Sequence, residues 1–144
     1  MSQAPKIISD LLFFLQKEDV KDPFVNTESP MIAPTGSRVI CTPPIMDTDD
    51  DWLVFVPENL QEKAIDFLYE AGATHSEQQE TYPDGVCFRF EEINPVLIWD
   101  YQIFYRWVAA TYWAQRLNLQ DKKERVLLFQ SMVDGKVPIN SMIL

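Results

Sequence analysis

Histidine is almost missing from this chain: His75 is the single one among 144 residues, and cysteine is represented only by Cys41 and Cys87. A Ser-His-Asp or Cys-His mechanism would have to run through His75, which lies in the polar stretch Ala73-Thr74-His75-Ser76-Glu77 and reads as a loop residue. The two cysteines are far apart and form no CxxC pair, which excludes a zinc ribbon and a disulfide framework. No run of about 18 apolar residues is present, so no membrane span is expected. The opening Met1-Ser2-Gln3-Ala4-Pro5-Lys6 has no charged region leading into an apolar core, so the expected location is the cytoplasm. Basic residues are also few, 12 Lys plus Arg against 22 Asp plus Glu, for a net charge of −10. That balance speaks against a broad nucleic-acid surface, because non-specific affinity comes from Lys and Arg displacing condensed counterions, and it leaves room for a local basic patch.

What is present describes a folded chain. Hydrophobic residues make up 47% and aromatics 12%, and a chain of about 150 residues buries roughly two thirds of its unfolded surface. A single domain over residues 1–144 is the expectation. Ile8, Leu11, Leu12 and Leu15 share one face of a helix over 7–16. The proline- and threonine-rich stretch from Val20 to Met46 reads as extended segments and turns. Asp51 to Val56 is the strongest strand, followed by a helix over 59–71 that Gly72 stops. Val86 to Glu91 reads as a second strand and, after the break at Asn94-Pro95, Val96 to Trp99 as a buried third. Asp100 is placed to cap an aromatic helix over 101–119, with Phe104, Trp107, Val108, Ala110 and Trp113 packing inward. A last helix covers about 121–133, with Val126, Phe129, Met132 and Val133 inward. The fold class expected is therefore α+β, a small mixed sheet flanked by helices, with helices at the C-terminal end.

The chemistry concentrates in Thr35-Gly36-Ser37-Arg38 through Asp47-Thr48-Asp49-Asp50-Asp51-Trp52. Four acids at the entrance of an apolar strand repel one another, so something must compensate them. Alternation along a strand sends Asp49 and Asp51 to one face and Asp50 and Trp52 to the other, with the first pair's Cα atoms roughly 6.6 Å apart. Two carboxylates at that spacing can converge on a pair of divalent cations, and hard oxygen ligands suit magnesium or manganese. Upstream, Gly36-Ser37 forms a small-residue turn whose amides and hydroxyl can face phosphate oxygens, and Arg38 adds a charged donor. Arg89, between Phe88 and Phe90, projects from the face opposite to theirs, either to clamp a triphosphate or as an ordinary exposed sheet residue. Asp47 and Asp50 read as solvated.

Gly36-Ser37, eleven intervening residues (38 to 48), then Asp49-Asp50-Asp51 and an apolar strand resemble the signature of the nucleotidyltransferase superfamily with the DNA polymerase beta-like fold. The Gly-Ser-Arg, Pro-Pro and Thr-Asp-x-Asp variant is similar to a bacteriophage-encoded branch, for which the location would be the host cytoplasm. The resemblance implies a magnesium- or manganese-bound nucleoside triphosphate held by Asp49, Asp51, Gly36 and Ser37. It also implies transfer of a nucleoside monophosphate to an acceptor, and the net negative charge favours a protein, such as a host or toxin protein, or a small molecule in that place over RNA or DNA. Two residues depart from the pattern: Asp50 replaces a hydrophobic residue, and Thr35 stands where one often precedes the glycine. The family's third acid, aligned on the strand 96–99, falls on Val96, which leaves Asp100 and Glu91 as substitutes. A degenerate member that binds a host factor or nucleotide without transfer is the competing expectation.

Overall fold

The computed structural model describes residues 4–19, 28–41, 49–76 and 85–134. Asp47, the Pro43-Pro44 pair, the stretch 77–84 and Gly135 lie outside the described residues. The chain is α+β: a five-stranded mixed sheet carries helices on both faces, as expected. Among the described residues no helix is long and apolar enough to cross a membrane.

The elements run α1 (Lys6–Glu18), β1 (Met31–Thr35), α2 (Ser37–Ile40), β2 (Asp50–Phe55), α3 (Gln61–Glu70), β3 (Thr74–His75), β4 (Gly85–Arg89), β5 (Ile93–Ile98), α4 (Tyr101–Arg116) and α5 (Lys122–Phe129), which ends in a π turn over Gln130–Asp134. In space the strand order is β1-β2-β5-β4-β3. The β2–β5 pair is parallel and every other pair antiparallel.

Strand alternation divides the core. Trp52, Val54, Val56, Phe88 and Leu97 face α1 and α3, where Ile8, Leu11, Leu15, Ala64 and Leu68 are fully or almost fully buried. Phe14 stacks on Phe67 at 5.0 Å, and Lys63 pairs with Glu18 at 2.9 Å across the two helices. Leu53, Phe55, Cys87, Val96 and Ile98 face the other way, onto Phe104 and Trp107 of α4. Arg125 ties α5 to the end of α2, its guanidinium donating to the carbonyls of Leu119 and Gln120 and to the Cys41 sulfur.

Gly72, at φ +99°, does end α3, and Ala73 N–H donates to the Leu68 carbonyl as a left-handed cap requires. The third strand, however, starts at Ile93 and passes through Asn94-Pro95 without a break. The β4 ladder along it stops at Cys87 opposite Val96 and resumes only in the Phe90–Ile93 bridge, so the N–H that Pro95 lacks falls in the gap. His75 belongs to β3 and stacks on Phe88 at 4.8 Å. Trp113 and Val126 are half exposed, because Thr111 and Ala114 take the inward positions of α4 and α5 packs edge-on through Leu128 and Phe129.

Thr111 is the polar exception in the α4 interface. Its hydroxyl donates to the Trp107 carbonyl at 2.8 Å and lies 2.7 Å from the Thr35 hydroxyl. Its one proton being used, Thr35 must donate to it. Thr35 is 2% exposed, so losing that acceptor leaves a buried hydroxyl unpaired. Thr111→Val is expected to cost about 1–3 kcal/mol in urea unfolding, and the double change Thr35→Val/Thr111→Val less than the two singles summed.

Candidate functional site

The register of five strands brings the polar residues of the motif into one row. Thr35 lies opposite Asp51, and Asp51 opposite Asn94. The pairing of Cys87 with Val96 and of Phe90 with Ile93 leaves Arg89 opposite Asn94, and Arg89 in turn pairs with Thr74. All five side chains therefore belong to the α4 face of the sheet, one row beyond the apolar set Ala33, Leu53, Val96 and Cys87 that α4 covers. Asp49 extends the same face by one step past Asp51.

Asp51 stands second in the row, between Thr35 and Asn94. Asn94 Nδ2 donates to its Oδ1 at 3.2 Å. On the other side stands Gly36, at φ +84°, in the left-handed region that disfavours any side chain. A Cβ added there would come within 2.7 Å of Asp51 Oδ2. Glycine is thus needed twice, for its backbone angle and for the room that the carboxylate takes. Beyond it Ser37 and Arg38 open the single turn of α2, in which the Gly36 carbonyl accepts from Val39 and Ile40.

The neighbouring acids have separate partners. Arg89 forks onto Asp49, Nη1 donating to Oδ2 at 3.1 Å and Nη2 to Oδ1 at 3.0 Å. Asp50 faces the opposite side and accepts from the Trp52 indole N–H at 3.0 Å, which explains how an acid occupies a position where the resemblance leads one to expect a hydrophobic residue. The alternation read from the sequence is therefore the one observed.

The residues offered in place of a third acid do not join Asp51. Asp100 caps α4, accepting from the Gln102 and Ile103 amides. It lies past the far end of β5, and the span from Asn94 to Ile98 alone is roughly 13 Å. Glu91 is at the right end of the sheet, in the turn between β4 and β5, exposed and at φ +57°. The register puts Asn94, not Val96, beside Asp51. Asn94 is fully buried, and among the described residues its Oδ1 has no hydrogen-bond partner.

Among the described residues no group of three or more His, Cys, Asp or Glu side chains is arranged to hold a metal ion. What Asp49, Asp51 and the Asn94 amide oxygen offer is a smaller set, two carboxylates and an orphaned buried oxygen. Such a set suits a magnesium-like ion that arrives with substrate phosphate and keeps part of its water, rather than an all-protein cage. The row also perturbs its neighbour: burial, aided by the Asp51 charge, pushes the Cys87 thiol up to about 12. Family models, curated proteins and solved structures were all compared with the chain, and none matches it.

Gly36→Ala is expected to destabilise the fold by about 1–3 kcal/mol in chemical denaturation, the cost of forcing a side chain into this backbone region. Cys87 supplies a pH signature. Its folded-state value lies above the ordinary thiol value of 9.0, so the stability it contributes is complete below about pH 9 and declines as pH rises toward 12. The stability difference between wild type and Cys87→Ala should shift against wild type over that window, measured by urea unfolding at stepped pH.

Proposed function

We propose that the chain is a small metal-dependent nucleotidyltransferase that moves a nucleoside monophosphate from a nucleoside triphosphate to a protein or small-molecule acceptor. The observation that carries this reading is that Asp51 occupies the space a side chain at Gly36 would need, a Cβ there coming within 2.7 Å of its Oδ2. The two halves of the sequence motif, an acid pair and a small-residue turn, meet at one carboxylate.

In this reading Asp49 and Asp51 hold magnesium or manganese, with the Asn94 amide beside them. The ion supplies charge neutralisation at the phosphate oxygens. Gly36 and Ser37 seat the terminal phosphates, and Arg38 adds a cation at the same turn. An acceptor oxygen attacks the α-phosphorus, the bond from that phosphorus to the bridging oxygen breaks, and pyrophosphate departs with the electron pair. The acceptor's proton passes to water, since an amide at position 94 is no base at neutral pH. The net charge of −10 favours a protein or small molecule over a long nucleic acid as acceptor. A host or toxin protein is an acceptor of the fitting kind.

Asn94 favours a second reading, a nucleotidyltransferase-like protein of phage type that binds nucleotide or a host factor without transfer. Pyrophosphate release from labelled triphosphates, in the presence of bacterial lysate as acceptor source, separates the two. The expected result is release by wild type and none by Asp49→Asn/Asp51→Asn. Binding of magnesium-triphosphate with no release above the double variant would establish the second reading instead.

A further inference from the structure

We infer that Arg89 is an internal counter-cation of the acid pair, which a divalent ion displaces from Asp49 and which then takes the incoming phosphate, so that the site accepts a cation and a polyphosphate together and discriminates against either alone. This rests on the metal-and-triphosphate reading above and adds to it a residue that sets what form of ligand is admitted.

Both Asp49 oxygens accept from the same guanidinium. A metal ion at that carboxylate and the fork of Arg89 therefore compete for the same lone pairs, and their like charges repel at that range. Asp49 is 18% exposed and Arg89 46%. The acid is thus sheltered enough to need a counter-charge, while the arginine has water on one side and a flexible stem on which to leave. A pair whose cation is open to water holds weakly, so a divalent ion can replace it.

Once displaced, the guanidinium lies at the edge of a cationic site with its five donors unspent. Phosphate oxygens present the same two-point acceptor geometry as a carboxylate. Free triphosphate, by contrast, meets Asp49 and Asp51 with Arg89 already engaged, and is repelled. In the same row, between Asp51 and Arg89, the fully buried Asn94 Oδ1 has no hydrogen-bond partner among the described residues. It is one further oxygen beside the acid pair that an arriving cation would meet.

Manganese binding, followed by the electron paramagnetic resonance of the free ion, tests the exchange with wild type, Arg89→Gln and Asp49→Asn. Arg89→Gln is expected to bind Mn2+ about two- to sixfold tighter than wild type, the shift given by removing a weak competing pair. With Mn2+ saturating, the same variant is expected to bind a non-hydrolysable triphosphate several-fold more weakly. Equal Mn2+ affinity in wild type and Arg89→Gln, with binding lost in Asp49→Asn, overturns the exchange and leaves the metal reading standing. Tighter Mn2+ with unchanged triphosphate affinity also overturns it, by removing its phosphate half. Absence of Mn2+ binding in wild type and Arg89→Gln alike overturns the metal reading and the exchange together.

Discussion

The parallel pairing of β2 with β5 is the constraint on which the rest of the site depends. Asp51 meets Asn94 only because Asp50 pairs with Ile93 and each following residue keeps step, through Phe55 opposite Ile98. Ten of those twelve residues lie in the buried centre of the sheet, and apolar side chains on both faces hold the pairing. The antiparallel partners then complete the row from either side, Thr35 from β1 and Arg89 from β4. The polar residues contribute little to holding the strands together. They are carried into position by hydrophobic packing one row away.

Within that frame each charge has its own means of compensation. Asp51 is held by an amide and lies against a glycine, Asp49 is gripped by a guanidinium, and Asp50 on the reverse face is bonded to an indole. Asp49, Asp50 and Asp51, adjacent in sequence, thus fall into separate environments, which keeps like charges apart at a strand entrance. It is also why the bulk acidity of the chain is a poor guide to the site. Most of the excess negative charge lies elsewhere, and at the site itself one of the three adjacent acids, Asp49, is paired with a cation.

Much of this was legible in the sequence. The period of two separated Asp49 and Asp51 from Asp50, and the helical apolar stripes located α1, α3 and α4. Register was not legible, because it is a relation between strands distant in sequence, and aligning the third strand from its apolar run alone put Val96 where Asn94 belongs. The Asn94-Pro95 dipeptide carried a turn signal that the neighbouring strands overrode: in the middle of a sheet, hydrophobic burial on both faces outweighs one missing donor. Asn94 was passed over for the same reason, although a polar residue at the entrance of a continuous apolar strand was the available clue. His75 was read as a loop residue because β3 is two residues long, too short for any periodicity to register. The role of Thr35 was invisible for want of its partner, which arrives from a helix far along the chain.

The row across the sheet also works as a check on folding. A slip of β2 against its neighbours by one residue would turn Asp49 and Asp51 to the side on which Asp50 now lies and reverse the apolar alternation of the whole strand. Asp51 would lose the Asn94 amide and Asp49 the Arg89 fork, so the misaligned sheet is disfavoured. The residues that give the protein its candidate chemistry thereby help the chain to distinguish its native alignment from its nearest competitor, and a mutation that neutralised them would loosen that discrimination even where it left the native packing intact.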